Sequence, residues 1–234
     1  MSETKHIDAD PQAVAKAFAD WLVDYLPANQ PFHMALSGGS TPKILFKLLA
    51  ESYADKIDWS FLHLYWGDER CVPPDHSDSN FRMTEELLLS QVPIPAENIH
   101  RVRGEAEPAL EAERYGQLLD TNLAKTDELP VFDLIILGMG ADGHTASIFP
   151  HESHLLQAKD HCVVATHPAS GQIRISLSGP VINAAKRVVF LITGASKRPV
   201  LAEVFAKTKM AESYPVSHIG ATQIDWFLDQ AAAP

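Results

Sequence analysis

Asp142 and His144 flank a glycine in the run Gly138-Met139-Gly140-Ala141-Asp142-Gly143-His144. An imidazole titrates near neutrality, so it can take a proton from water and return it to a leaving oxygen. A neighbouring carboxylate orients the ring and stabilises its cationic form, and the glycines allow close backbone approach. The pair therefore reads as a general base with its orienting acid. Asp68, in Gly67-Asp68-Glu69-Arg70, is a second carboxylate that suits the same role or the holding of substrate hydroxyls.

A different chemistry belongs to Ser37-Gly38-Gly39-Ser40-Thr41-Pro42. Two glycines let backbone N–H groups turn inward, the hydroxyls donate, and a following helix adds the positive end of its dipole. Together Ser37, Gly38, Gly39, Ser40 and Thr41 make an anion cradle suited to phosphate, with Thr41 expected as helix N-cap and Pro42 as first helical residue. The chain carries a net charge of −11, so an anion site must gather its own cations. Arg82, Arg174 and Lys197 are the candidates. Arg82 falls in the first turn of a helix, against the dipole, where it either pairs with Asp78 or Glu85 or reaches a bound anion.

Other chemistries fit less well. Residues 138–143 match the G-x-G-x-x-G dinucleotide fingerprint by letter, yet they lie past the middle of the chain and put Asp142 where a pyrophosphate would sit. The glycine loop at 37–41 lacks the Walker spacing. His144, His151, His154, His161 and His167 are dense, but neither H-E-x-x-H nor a common zinc spacing occurs, so we expect surface histidines and no metal. No G-x-S-x-G elbow makes Ser37 or Ser40 a nucleophile.

The elements that must position these residues alternate. Residues 131–137 form an almost continuous apolar run, as in a strand buried on both faces of a parallel sheet. Residues 33–36, 61–66, 161–166, 174–178 and 188–192 are further strands, several ending in glycine, hydroxyl or charge. Helical spacing runs from Asp10-Pro11 to Tyr25, from Pro42 to Leu49, from Asn80 to Leu88, over 108–123, and from about Pro199. The tail over 215–228 reads as a short edge segment followed by a half-turn or helix. The whole predicts one α/β domain over 1–234, a doubly wound, mainly parallel sheet with helices on both faces and its site at the carboxyl edge.

Composition sets the outer bounds. At 46% hydrophobic and 21% charged the chain is ordinary globular material, and its acidity disfavours nucleic acid and anionic membranes as partners. Cys71 and Cys162 lack C-x-x-C spacing, and no signal-like or membrane-spanning segment is legible; the expected setting is cytoplasmic.

LSGGSTP, GDERCVPPDHSDSNFRM, LGMGADGHTASIFP, RISLSGP and ITGASK, in that order, resemble the 6-phosphogluconolactonases of the glucosamine-6-phosphate isomerase superfamily over nearly the whole chain. The resemblance implies hydrolysis of 6-phospho-D-glucono-1,5-lactone in the pentose phosphate pathway, with no organic cofactor; a monomer with at most weak self-association is expected. It implies His144 as general base, residues 37–41 as the phosphate loop, and Arg82, Arg174 and Lys197 at the substrate's anionic end. The related deaminases resemble G-H-I-A-F-N-E-P after the aspartate, whereas here Phe149 stands where their glutamate falls. A deaminase or isomerase, or a non-catalytic sugar-phosphate-binding protein, remains the alternative; a nucleotide-dependent dehydrogenase is the weakest.

Overall fold

The computed structural model describes residues 2–234. Strand β1 (Ser2–Asp8) leads into α1 (Pro11–Tyr25), and β2 (Phe32–Leu36) into α2 (Ser40–Ser52). Strand β3 (Leu62–Trp66) is followed at once by β4 (Asp68–Arg70), then α3 (Asn80–Leu87), β5 (Ile99–His100) and α4 (Pro108–Asn122). A hairpin of β6 (Ala124–Thr126) and β7 (Leu129–Val131) precedes β8 (Leu134–Leu137). The remainder comprises β9 (Cys162–Thr166), β10 (Ile173–Leu177), α5 (Gly179–Ala184), β11 (Arg187–Ile192), α6 (Arg198–Ala206) and β12 (Gln223–Asp229).

Seven strands form a parallel sheet in the order β1-β12-β11-β8-β2-β3-β5, flanked by helices, as the alternating pattern predicts. From β2 the chain moves outward to β3 and β5, and from β8 outward the other way to β11 and β12. The direction reverses between β8 and β2, and open α/β sheets bind ligands at the carboxyl ends flanking such a reversal. Ser37 closes the crevice there, its Oγ donating to the Ile136 carbonyl at 2.7 Å. Both strands are fully buried at their carboxyl ends, which explains the apolar letters of Met34-Ala35-Leu36 and Leu134-Ile135-Ile136-Leu137.

Several expected elements differ. The 131–137 run is not one strand: Val131 ends the hairpin, and Asp133 interrupts the run, its carboxylate accepting from the His33 amide at 2.8 Å and from Lys186 at 2.6 Å. Helix α2 begins at Ser40, with Gly39 as the capping residue, so Thr41 lies inside the first turn rather than capping it. The tail is no edge segment. Strand β12 lies between β1 and β11, because the N-terminal residues add a strand outside it. Strands β9 and β10 leave the main sheet and form a small antiparallel one with β4. That placement suits the clean alternation of residues 174–178 and brings Arg174 back over the crevice.

Candidate active site

The carboxyl ends of β2, β3, β8 and β11 surround a cleft of about 230 Å³. Residues 37–41, His144, Asp68, Arg174 and Lys197 all line it. Thus residues separated by up to 160 positions are brought together, and the acidic chain does gather cations here.

The loop after β8 is shaped around His144. Gly140 donates its amide to the His144 carbonyl at 2.9 Å, and Thr145 Oγ1 to the Gly138 carbonyl at 2.9 Å. A Cβ on Gly140 would stand 2.2 Å from His144 Nδ1, so only glycine leaves room for the ring. His144 Nδ1 lies 2.6 Å from Asp142 Oδ1, and the His144 amide donates to the same oxygen at 3.2 Å. The hydrogen bond from His144 holds the Asp142 carboxyl down at about 2, well below the usual range, so Asp142 is an acceptor. Nδ1 therefore carries the proton, and Nε2 is left as the basic nitrogen. Beneath the ring lies Phe149, fully buried, with centroids 4.7 Å apart.

The phosphate-type loop is held from below. A Cβ on Gly38 would fall 1.9 Å from Asn80 Oδ1, so the loop rests directly on that amide. Asn80 is fixed in turn, Nδ2 donating to the Asp68 carbonyl at 3.0 Å and its backbone N–H to Glu69 Oε1 at 2.7 Å. Glu69 is buried, which pushes its pKa up, while amides at the start of α3 and the Ser79 hydroxyl donate to it. Gly39 has φ 116°, a conformation that favours glycine. Thr41 Oγ1 lies 2.8 Å from Thr193 Oγ1, tying the loop to the end of β11, beyond which Lys197 reaches the cleft. Burial pushes the Lys197 pKa down, and the Asp142 charge partly offsets this.

The cations are not quite those expected. Arg82 lies outside the cleft, its Nε donating to Glu86 at 2.7 Å and its Nη1 to the Asp75 carbonyl at 2.9 Å, in an adjoining groove with Lys43. Arg70 takes its place at the cleft wall. Arg70 and Arg174 are register partners across β4 and β10, and the buried Nε of each has no partner among the described residues. Like charges directly opposite on a sheet repel unless something compensates them, and an anion in the cleft would do so. Arg70 ends the charged run after β3, so its position was visible in the sequence while its direction was not.

Asp68 lines the cleft but does not orient His144. Its Oδ2 accepts from Ser147 Oγ at 2.7 Å and lies 3.9 Å from Arg174 Nη1. Of the other histidines, His151 and His167 also pack on the Phe149 ring, with centroids 5.9 and 5.3 Å from it, and reach Glu152 and Ser170, while His161 turns to Asp120. Among the described residues no three histidine, cysteine or acidic side chains are placed to share a metal ion. Nor, among them, is any helix long and apolar enough to cross a membrane.

Residues 7–227 match the family described as Glucosamine-6-phosphate isomerases/6-phosphogluconolactonase. The chain belongs to this family. The isomerase/lactonase family includes a 6-phosphogluconolactonase of Haemophilus influenzae, 47% identical over 226 residues, covering 94% of each chain. The crystal structure of the devB protein superposes with a TM-score of 0.94 at 44% identity, over 99% of this chain and 98% of that one. The 6-phosphogluconolactonase of Trypanosoma brucei gives 0.86 at 30% identity, over 99% and 97%. The family's description covers two activities, glucosamine-6-phosphate isomerase and 6-phosphogluconolactonase.

Proposed function

We propose that the chain hydrolyses 6-phospho-D-glucono-1,5-lactone to 6-phospho-D-gluconate in the pentose phosphate pathway. One observation carries the reading: a histidine oriented by a single carboxylate at 2.6 Å shares its cleft with a glycine-hydroxyl anion cradle and three cationic side chains, Arg70, Arg174 and Lys197. The substrate's phosphate docks on residues 38–41 with Lys197, which brings the lactone carbonyl toward His144. Water gives a proton to His144 Nε2 as its oxygen attacks that carbonyl. A cleft arginine or backbone N–H groups of the glycine loop meet the oxyanion. The tetrahedral intermediate collapses, the ring C–O bond breaks, and His144 returns the proton to the departing ring oxygen. Binding energy from the remote phosphate serves orientation, and one proton shuttle is enough.

The isomerase or deaminase chemistry of the same family suits this cleft less. Ring opening and amine transfer call for a further acid/base group beside the histidine, and Phe149 fills that place as an apolar floor. The lactonase reading has the chain act in the cytoplasm, without a cofactor, on a small anionic molecule; its net charge of −11 disfavours polyanionic partners. Parallel assays decide between the reactions: acid release from freshly prepared lactone is expected, and ammonia release from glucosamine 6-phosphate would reverse the assignment.

A further inference from the structure

Lactone hydrolysis by His144 leaves a buried carboxylate at the cleft, Asp68, without a task. Asp68 is 6% exposed and borders the same space as the histidine. A free carboxylate beside a sugar carbonyl can draw a proton from the adjacent carbon, which is isomerase chemistry. The geometry gives Asp68 a different occupation. Ser147 Oγ donates to Asp68 Oδ2 at 2.7 Å, and Arg174 Nη1 donates to that Ser147 oxygen at 3.4 Å. Ser147 is completely buried, and its backbone N–H donates to Ser176 Oγ at 3.2 Å, so the hydroxyl has no water to turn toward. A hydroxyl has one proton to give and lone pairs to accept with. Here the proton goes to the carboxylate and a lone pair takes the guanidinium.

Arg174 has few other restraints. Its Nε finds no partner among the described residues, its guanidinium carbon lies 5.6 Å from the Phe149 ring centroid, and Arg70 stands opposite it as a like charge. Without a fixed counter-ion, repulsion from Arg70 would turn Arg174 away from the cleft. We propose that Ser147 is a positioning residue: by bridging Asp68 and Arg174 it holds the carboxylate as a counter-ion rather than a base and aims the guanidinium at the substrate. The inference rests on the lactonase reading of the cleft. It also assigns a role to the last hydroxyl of His144-Thr145-Ala146-Ser147, whose backbone is bent by a left-handed Ala146 at φ 46°.

The test is steady-state kinetics of Ser147→Ala and Asp68→Asn on fresh lactone, with thermal melts of each variant alongside. Both variants are expected to raise KM about tenfold or more while kcat falls less than about threefold, the signature of lost binding orientation. Active, folded variants with KM within about twofold of wild type would overturn the inference. So would a fall of about a hundredfold in kcat for Asp68→Asn at constant KM, which would make Asp68 a base. If Ser147→Ala does not melt cooperatively, Asp68→Asn alone decides. A wild type no faster than spontaneous hydrolysis overturns the lactonase reading and this inference together; an active wild type with unmoved variants overturns the inference alone.

Discussion

His144 Nδ1 and Asp142 Oδ1 stand 2.6 Å apart, and this one contact selects which ring nitrogen can act as base. A carboxylate held at about 2 can only accept, so it fixes the proton on Nδ1. An amide in its place could donate instead and hold the ring in the wrong tautomer. Asp142→Asn should therefore lower kcat by about 10²- to 10⁴-fold with little change in KM. Steady-state kinetics check this, and a variant with near-normal kcat would show that the pair does not set the tautomer.

Cations at the cleft wall should separate from the one outside it. Arg70 and Lys197 border the cleft, whereas Arg82 is engaged by Glu86 and the Asp75 carbonyl. Truncation of Arg70 or Lys197 to alanine should raise KM about tenfold or more. Arg82→Ala should change KM less than about threefold. The reverse ranking would move the anion site into the groove shared by Lys43 and Arg82.

The loop over Asn80 has no room for a methyl group. Gly38→Ala would bring a Cβ to 1.9 Å from Asn80 Oδ1, and Asn80 is pinned by two hydrogen bonds that keep it from yielding. A destabilisation of about 1–3 kcal/mol is expected, with a rise in KM, measured by denaturant melts and kinetics. Unchanged stability and KM would mean that the loop does not rest on Asn80.

A row of histidines far from the cleft should set the acid limit of stability. His33, His63 and His100 lie side by side across β2, β3 and β5, with ring centroids 4.8 and 5.4 Å apart and His63 Nδ1 3.2 Å from His100 Nε2. Burial pushes all three below the ordinary histidine value, His100 to about 4. Tyr65, Asn122, Asp133 and Lys186 face the row, and only Asp133 favours its charged form. The folded state thus binds fewer protons than the unfolded chain, so stability is fully present above about pH 6.5 and is lost as the pH falls toward about 4. Melting temperature recorded across that window should fall for the wild type and fall less for His100→Gln. Equal slopes would place the acid sensitivity elsewhere.

Residues buried on both sides announced themselves. The runs that became β2, β3, β8 and β11 end on buried apolar residues because helices flank the sheet there, and the abrupt glycines after them mark the carboxyl edge. Strand β1 gave no such signal: Ser2-Glu3-Thr4-Lys5-His6-Ile7-Asp8 is an exposed edge held by backbone pairing to β12, which leaves its side chains free to be polar. Missing β1 is also what made β12 look like an edge. Within the site, His144, Asp142 and the glycine loop were legible because local spacing fixes their geometry. Arg70 and Arg82 were not, since both sit in charged stretches and only the pairing of β4 with β10 decides which one turns inward.

The most direct measurement compares wild type with His144→Ala on freshly prepared 6-phospho-D-glucono-1,5-lactone, with spontaneous hydrolysis subtracted. Loss of the general base should lower kcat by about 10²- to 10⁴-fold while the variant keeps its fold and its affinity for 6-phosphogluconate. Equal rates for the two proteins above background would contradict the account.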